Sequence, residues 1–280
     1  MSFQKVFFFG TPLFAANILD SIVKNGKIRI DGVVTQPDRC KGRGYNLEES
    51  EVKRIAKKNK LPVYQPTNKT ELQNLFKDES PDLSIVVAFG MIFSKEIVQN
   101  YLLVNIHASL LPKYRGPSPI QTVLLGDDKE TGVTLIRIEE KVDNGDIINM
   151  KKIKIDEKEN FSTLSEKLEQ LSISMLLQQL DIDLVHWKFV RQDETEASYT
   201  KKIEKQNGYV DLTKDDPEII IKKIRAYHPW PGVYTIKNNK RIKIIDAKLL
   251  DKHLVIEKVQ EEGRKVILYQ DYILNNDKLI

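Results

Sequence analysis

The regular alternation of short apolar runs with amphipathic segments constrains the fold of this chain most strongly. Apolar, β-prone runs lie at residues 5–10, 31–35, 61–64, 83–88 and 102–106. Between them, apolar residues recur at helical spacing, as in Phe14, Ile18 and Ile22 after Thr11-Pro12, where we expect Thr11 to cap the helix. Strands that alternate with helices in this way predict an α/β domain with a Rossmann-like, doubly wound and mostly parallel sheet.

The following segments complete this domain. Two β-prone runs, at 133–138 and 147–155, are joined by a turn that contains Asn144-Gly145, and an amphipathic helix is predicted at 162–180. The segment after that helix is polar and has no apolar period, so it is predicted to be a linker.

A smaller second domain is predicted beyond the linker. One helix at 217–226 precedes short β-prone runs at 233–236, 242–247, 254–259 and 265–269. Several short strands with turn signals between them are typical of a small, OB-like β-barrel. We therefore predict a catalytic domain at 1–189, a linker at 190–206 and an OB-like domain at 207–280.

Composition excludes several classes of protein. The 280 residues are 41% hydrophobic and 30% charged, which suits a globular interior. The longest apolar runs are shorter than the ~20 residues of a membrane-spanning helix, and the N-terminus has no export signal, so we expect a cytoplasmic protein without membrane contact. Cys40 is the only cysteine, which excludes an internal disulfide and a CxxC motif.

Metal and polyanion binding are not indicated by composition alone. The four histidines lack the spacing of metal ligands, so we expect no metal site: His107, His186, His228 and His253. The net charge of +4 favours the approach of a polyanion but does not identify one.

The segment Asn105 to Gly116, NIHASLLPKYRG, carries the candidate chemistry. It follows a predicted strand, and period-two alternation places Asn105 and His107 on the same side. Asp143 follows in the turn VDNGD, which can reach the same edge of the sheet. An amide, an imidazole and a carboxylate form a plausible acyl-transfer set at the carboxyl ends of the strands, where such sheets bind ligands.

Each of these residues also has a structural interpretation. A histidine at a strand end is commonly structural, and Asp-Asn-Gly is a frequent hairpin turn. The sequence has no serine elbow, P-loop, GxGxxG or HExxH motif, so the competing chemistries lack their own signatures.

Longer runs resemble a known family. NIHASLLPKYRGPSPIQ followed by VDNGDI resembles the signature of formyltransferases that use 10-formyltetrahydrofolate. FFGTPLFAANIL, VVTQPDRCKGRG, LPVYQP, VVAFGMI and IRAYHPWPGVYT resemble, in order and nearly from end to end, the branch of that family that acts on methionyl-tRNA. The resemblance implies the formyltransferase fold, 10-formyltetrahydrofolate as co-substrate without a metal, and charged initiator tRNA as acceptor. The product would be N-formylmethionyl-tRNA for translation initiation.

The resemblance also implies roles for individual positions. The catalytic residues would be Asn105, His107 and Asp143. Folate would be bound by Ser109, Leu110, Leu111 and Pro112 and, around the pterin ring, by Phe89, Gly90, Met91 and Ile92. The tRNA acceptor stem would be bound by a basic loop, 38–45, with Arg39, Lys41, Gly42, Arg43 and Gly44, and the C-terminal domain would guide the tRNA. Cys40, Ser94 and the stretch LEESEV depart from the family pattern.

For Trp230, between two prolines, we expect a buried plug of the small barrel rather than a base-stacking platform. We expect a monomer. Two other functions stay open: an N-formyltransferase acting on a nucleotide-linked amino sugar, and a non-catalytic RNA- or nucleotide-binding protein.

Overall fold

The computed structural model describes residues 3–41, 46–274 and 276–279. In chain order, the strands are β1 (Val6–Gly10), β2 (Gly32–Val34), β3 (Arg39–Lys41), β4 (Asn46–Glu48), β5 (Val63–Tyr64), β6 (Leu83–Val87), β7 (Leu103–His107), β8 (Glu130–Arg137), β9 (Ile147–Lys154), β10 (Val233–Lys237), β11 (Lys240–Leu250), β12 (His253–Glu261) and β13 (Ile267–Leu268). The α-helices are α1 (Leu13–Asn25), α2 (Glu51–Lys58), α3 (Lys69–Glu79), α4 (Lys95–Asn100), α5 (Pro119–Leu125), α6 (Phe161–Leu180), α7 (Pro217–Ala226) and α8 (Tyr269–Ile273).

The main sheet has seven strands in the order β5-β2-β1-β6-β7-β8-β9. The pairs from β5 to β7 are parallel, and β8 joins β7 in antiparallel orientation. Every residue of β1 and β6 is buried, as expected of parallel strands that are covered on both faces. The predicted doubly wound, mostly parallel sheet is confirmed.

An aromatic cluster fills the core between β1, β6 and the neighbouring helices. The Phe9 ring lies 5.4 Å from the rings of both Phe76 and Phe89 and 5.7 Å from that of Phe93. Phe93 and Phe89 follow β6 directly, so this packing fixes the chain where it leaves the sheet. The cluster therefore supports the edge at which α/β proteins bind ligands.

Helix starts explain two departures from the family pattern. The Ser94 hydroxyl accepts a hydrogen bond from the Ile97 N–H and caps α4. Ser50, within LEESEV, caps α2 in the same way through the Lys53 N–H. A serine in this role satisfies one of the free N–H groups of a first helical turn.

The expectation for Thr11 was wrong. Helix α1 begins at Leu13 with Pro12 as its N-cap, and no side chain caps it. The Thr11 hydroxyl donates instead to the Phe89 carbonyl oxygen, at 3.0 Å. It therefore ties the end of β1 to the segment that follows β6.

The second sheet has four antiparallel strands in the order β10-β11-β12-β13. The smaller C-terminal β domain of the prediction is thus present. Its last strand is short, because the run predicted as a strand at 265–269 forms β13 and then α8.

The expectation for Trp230 was also wrong. Its side chain is 52% exposed, whereas Val233 and Ile244 of the same sheet are buried. Other side chains fill the interior here, and the indole is left at the surface.

Contacts divide the chain into two units. The first unit comprises Met1–Pro117, Thr131–Ile153 and Glu166–Tyr199, and the second comprises Ser118–Glu130, Lys154–Ser165 and Thr200–Ile280. The predicted linker is thereby shared between the units, and the domain boundaries inferred from the sequence stay a prediction. No helix in the described part of the chain is long and apolar enough to cross a membrane.

Candidate active site

Strand β7 positions the first two candidate residues. Its residues Asn105 and His107 pair with Ile136 and Thr134 of β8, and alternation along the strand directs both side chains to one face. His107 is only 6% exposed. The pair lies at the carboxyl end of a central strand, as the sequence predicts.

Asp143 reaches this pair from the turn between β8 and β9. Its Oδ1 accepts a hydrogen bond from Asn105 Nδ2 at 3.2 Å, and its Oδ2 lies 3.5 Å from His107 Nδ1. The Gly116 N–H donates to Oδ2 at 2.8 Å. The structure therefore brings the three candidate catalytic side chains together, and the carboxylate binds a backbone donor as well.

Backbone conformation places the Asp143 carboxylate. Asp143 has φ of 50° and Tyr114 has φ of 64°, in the left-handed region that aspartate tolerates better than most residues. The Tyr114 carbonyl oxygen accepts a hydrogen bond from His107 Nε2 at 2.9 Å, because a carbonyl can only accept. Both ring nitrogens of His107 thus face fixed groups.

The predicted folate loop is held by the hydroxyl groups of Ser109, within the loop, and of Thr134 on β8. The Ser109 hydroxyl donates to the Lys113 carbonyl oxygen at 2.6 Å, and Thr134 Oγ1 bridges the Ser109 carbonyl oxygen and the Leu111 N–H. Ser109 and Leu111 are buried. Of the predicted loop residues, only Leu110 and Pro112 keep partly exposed side chains.

The predicted pterin segment has a similar division. The Phe89 side chain lies in the aromatic cluster, so only its backbone faces the strand ends. Gly90 has φ of 85° and is exposed, Met91 is half-buried, and Ile92 is 59% exposed. Glycine is favoured at Gly90 because its φ is positive.

The basic loop is described only in part. The Arg39 side chain is exposed and donates to Gln36 Oε1 at 3.0 Å. The backbone of Lys41 pairs with that of Asn46 in a β3–β4 hairpin, which the sequence analysis did not predict. Gly42, Arg43 and Gly44 lie outside the described residues.

Three residues at the site were not predicted from the sequence. Arg115 is 1% exposed and binds Gln192 Oε1 through Nε and Nη2, at 3.1 and 2.8 Å. Its two terminal nitrogens also bind the Glu194 carboxylate, at 3.0 and 2.8 Å. This hydrogen bond holds the pKa of Glu194 below its usual value. Gln192 and Glu194 lie in the segment that the sequence predicts to be a linker.

Among the described residues, no group of three or more histidine, cysteine, aspartate and glutamate side chains could hold a metal ion.

Comparisons with known proteins identify the class of this fold. The formyl transferase family model matches residues 4–180, which include every strand of the main sheet, and the formyl transferase C-terminal domain model matches residues 202–254. The main sheet is thus that of the formyl transferase class.

Individual relatives refine the class. A methionyl-tRNA formyltransferase of Kosmotoga olearia is 40% identical over 253 residues, which cover 89% of this chain and 81% of that protein. The chain belongs to the methionyl-tRNA formyltransferase family.

Two solved structures share the fold. HypX from Aquifex aeolicus in complex with tetrahydrofolic acid superimposes with a TM-score of 0.69 at 14% identity, over 98% of this chain and 47% of HypX, so this chain spans about half of that protein. A sugar N-formyltransferase from Shewanella sp. has a TM-score of 0.67 at 17% identity, over 88% of this chain and 99% of that one. At these identities the likeness concerns the fold alone.

Proposed function

We propose that this chain transfers the formyl group of 10-formyltetrahydrofolate to the amino group of methionine on charged initiator tRNA. The observation that carries the proposal is the convergence of Asn105, His107 and Asp143 at the end of β7. Membership of the methionyl-tRNA formyltransferase family supports the choice of acceptor. The product is N-formylmethionyl-tRNA.

The acceptor amine needs little activation. An α-amino group has a pKa near ~8, and the adjacent ester lowers it, so much of the amine is already a nucleophile at neutral pH. The protein must instead align the amine with the formyl carbon and stabilise the oxyanion that forms as this carbon becomes tetrahedral.

Asn105 and His107 supply the donors for that oxyanion. Asn105 Nδ2 carries two N–H groups, and one of them binds Asp143, so the second is available to the formyl oxygen. His107 Nε2 binds the Tyr114 carbonyl oxygen. When the formyl donor binds, the Nε2 N–H leaves the Tyr114 carbonyl oxygen and donates to the formyl oxygen. Hydrogen bonds of a catalytic site commonly become shorter and better aligned when the substrate binds.

Asp143 lies beside the imidazole and receives a proton. Its Oδ2 lies beside His107 Nδ1 and takes a proton from the ammonium that forms when the amine attacks. The proton then passes to the folate nitrogen as the bond from that nitrogen to the formyl carbon breaks. No net oxidation occurs, and the proton is returned within one turnover.

Backbone groups and apolar side chains hold the folate. We assign the pterin ring to Phe89, Gly90, Met91 and Ile92 and the rest of the donor to Ser109, Leu110, Leu111 and Pro112. Because Phe89, Ser109 and Leu111 are buried, they act through their backbone or by fixing the loop. Leu110, Pro112 and Ile92 offer side-chain surface.

The basic loop at 38–45 is assigned to tRNA phosphates, with Arg43, Lys41 and Arg39 as the charged members. Phosphate contacts position a nucleic acid, and they make its binding weaken as salt increases. We assign the reaction to the cytoplasm and the enzyme to a monomeric state, which size-exclusion chromatography with light scattering measures.

One assay tests the proposed function. Purified protein is supplied with 10-formyltetrahydrofolate and, in turn, charged initiator tRNA, charged elongator tRNA and an amino-sugar nucleotide, and formyl transfer to each acceptor is measured. We expect rapid transfer to charged initiator tRNA only. Preferential transfer to the amino-sugar nucleotide favours the second candidate function, an N-formyltransferase acting on such a nucleotide. A sugar N-formyltransferase shares the fold of this chain. Binding of RNA without transfer to any acceptor contradicts an enzymatic role.

A further inference from the structure

We infer that Gln192 is a positioning residue of this site, whose amide holds the Asp143 turn so that the Asp143 carboxylate faces Asn105 and His107. The inference deepens the proposed function and rests on it for its kinetic test. Gln192 lies 49 residues beyond Asp143 in the chain, and nothing in the family motif points to it.

The Gln192 amide uses all of its hydrogen-bonding capacity. Its Nε2 donates to the carbonyl oxygens of Asp143, at 2.9 Å, and Gly145, at 2.8 Å. Its Oε1 accepts from Arg115 Nε and Nη2. Two donor positions and two acceptor positions are therefore satisfied, and the side chain is 5% exposed.

The orientation of this amide is unambiguous. A guanidinium only donates and a carbonyl only accepts. Turning the Gln192 amide over would set its nitrogen against Arg115 and its oxygen against two carbonyl oxygens. The oxygen must therefore face Arg115, and the nitrogen must face the turn.

The turn needs such support. Asp143 has φ of 50°, a conformation that costs energy in any residue with a side chain. Gly145 packs so closely that an added Cβ would lie 1.7 Å from the Arg137 carbonyl oxygen. One amide that binds both carbonyls fixes the turn at both of these residues.

Arg115 anchors Gln192 in turn. It is almost fully buried, and its Nη1 and Nη2 also donate to Glu194, which accepts in addition from Asn144 Nδ2 at 2.5 Å. The segment at 190–199 therefore clamps the Asp143 turn through two side chains: Gln192 binds the carbonyls of Asp143 and Gly145, and Glu194 binds the Asn144 amide. A misplacement of about 1 Å at a reacting group can lower a rate ~10²-fold, so this clamp bears on the rate.

The variant Gln192→Glu removes the donor half of the amide and keeps its acceptor half. A carboxylate still accepts from Arg115, but its second oxygen now faces the two turn carbonyls and repels them. We expect kcat for formyl transfer to fall about 10- to 100-fold. The KM of folate and of charged tRNA should change less than about 3-fold, because the Gln192 side chain is buried and bound to protein groups.

A matched control lies in the same segment. Glu196 is exposed and lies four residues from Gln192. Glu196→Gln is the reverse exchange, from a carboxylate to an amide, at a side chain that does not contact the turn. We expect parent kinetics from this variant.

Two readouts distinguish positioning from a loss of stability. In an Asp143→Asn background, Gln192→Glu should lower the residual single-turnover rate no further, because it acts through Asp143. The Gly116 N–H, which donates to Asp143 Oδ2, should exchange with solvent faster in Gln192→Glu than in the parent, by hydrogen-exchange mass spectrometry. The exchange readout needs no active enzyme, so it tests the clamp even if the parent forms no product.

The outcomes are decisive. Turnover of Gln192→Glu within about twofold of the parent overturns the inference, as does an equal fall of rate in the Asp143→Asn background. An unchanged Gly116 exchange rate also overturns it. If Gln192→Glu does not fold, Gln192→Met, which keeps the side-chain length but has no donor, is held to the same criteria. An inactive parent contradicts the proposed function instead.

Discussion

Polar side chains at the carboxyl edge of the main sheet and those of the C-terminal sheet are organised differently. At the sheet edge, Asp143 and Arg115 are largely buried and bind partners far along the chain. On the C-terminal sheet, charges also pair at the surface, as in Lys248–Glu257 at 2.6 Å. Buried polar networks fix geometry and are costly to break, whereas exposed ion pairs contribute little to stability. The first arrangement suits chemistry, and the second suits a surface that can change without loss of fold.

The largest expected effect lies at the sheet edge. Asp143→Asn keeps the size of the side chain but removes its charge, so the histidine loses its carboxylate and the amine loses its proton acceptor. We expect the rate of formyl transfer to fall about 10²- to 10⁴-fold, measured by single turnover. Asp146→Asn, in the same turn, is the control, and an equal fall in both variants would point to the turn rather than to the carboxylate.

Aromatic residues extend the comparison to stability. Phe76 is 1% exposed and Trp230 is 52% exposed. We expect Phe76→Ala to lower the free energy of unfolding by about 3–5 kcal/mol, and Trp230→Ala to lower it by under about 1 kcal/mol. Urea denaturation measures both, and similar losses would mean that the indole packs as firmly as the core phenylalanine.

A buried carboxylate outside the catalytic site gives a smaller, pH-dependent effect. Glu169 is buried, and burial raises its pKa although Asn17 donates to it at 2.9 Å. A carboxyl with a raised folded-state pKa binds protons more strongly when folded, so stability falls as pH rises above the unfolded value. Glu169→Gln should therefore gain stability over the parent at about pH 7.5, typically on the order of 1 kcal/mol.

That gain should shrink at about pH 4, where the parent carboxyl is mostly protonated in both states. Urea denaturation at the two pH values measures it. A gain of the same size at both would show that charge is not its cause.

The smallest effect is expected on the C-terminal sheet. Lys248→Ala removes the exposed partner of Glu257, and we expect the thermal midpoint to change by no more than about 2 °C, with less change in high salt. A larger fall would show that the charges of this sheet hold it together as the buried network holds the site.

The sequence predicted those features that depend on local periodicity. Alternating strands and helices gave the sheet, and period-two spacing gave the shared face of Asn105 and His107. The turn signal VDNGD placed Asp143 between two strands. In the structure, the Asp143 carboxylate lies beside Asn105 and His107.

Features that depend on distant contacts were missed. Gln192 meets Arg115 across 77 residues, and its polar segment has no periodicity to mark it as buried. Trp230 was wrongly expected to be buried, because prolines on both sides define a turn but not the face that its side chain takes. Thr11 was wrongly expected to cap α1, because the Phe89 carbonyl oxygen that it binds lies 78 residues away.

The central claim is that the group of Asn105, His107 and Asp143 performs formyl transfer. The most direct test is the single-turnover rate of transfer from 10-formyltetrahydrofolate to charged initiator tRNA in His107→Ala, compared with His186→Ala, which removes an exposed histidine. We predict a fall of about 10²- to 10³-fold for His107→Ala and a parent-like rate for His186→Ala. A folded His107→Ala protein that forms product at nearly the parent rate would contradict the claim.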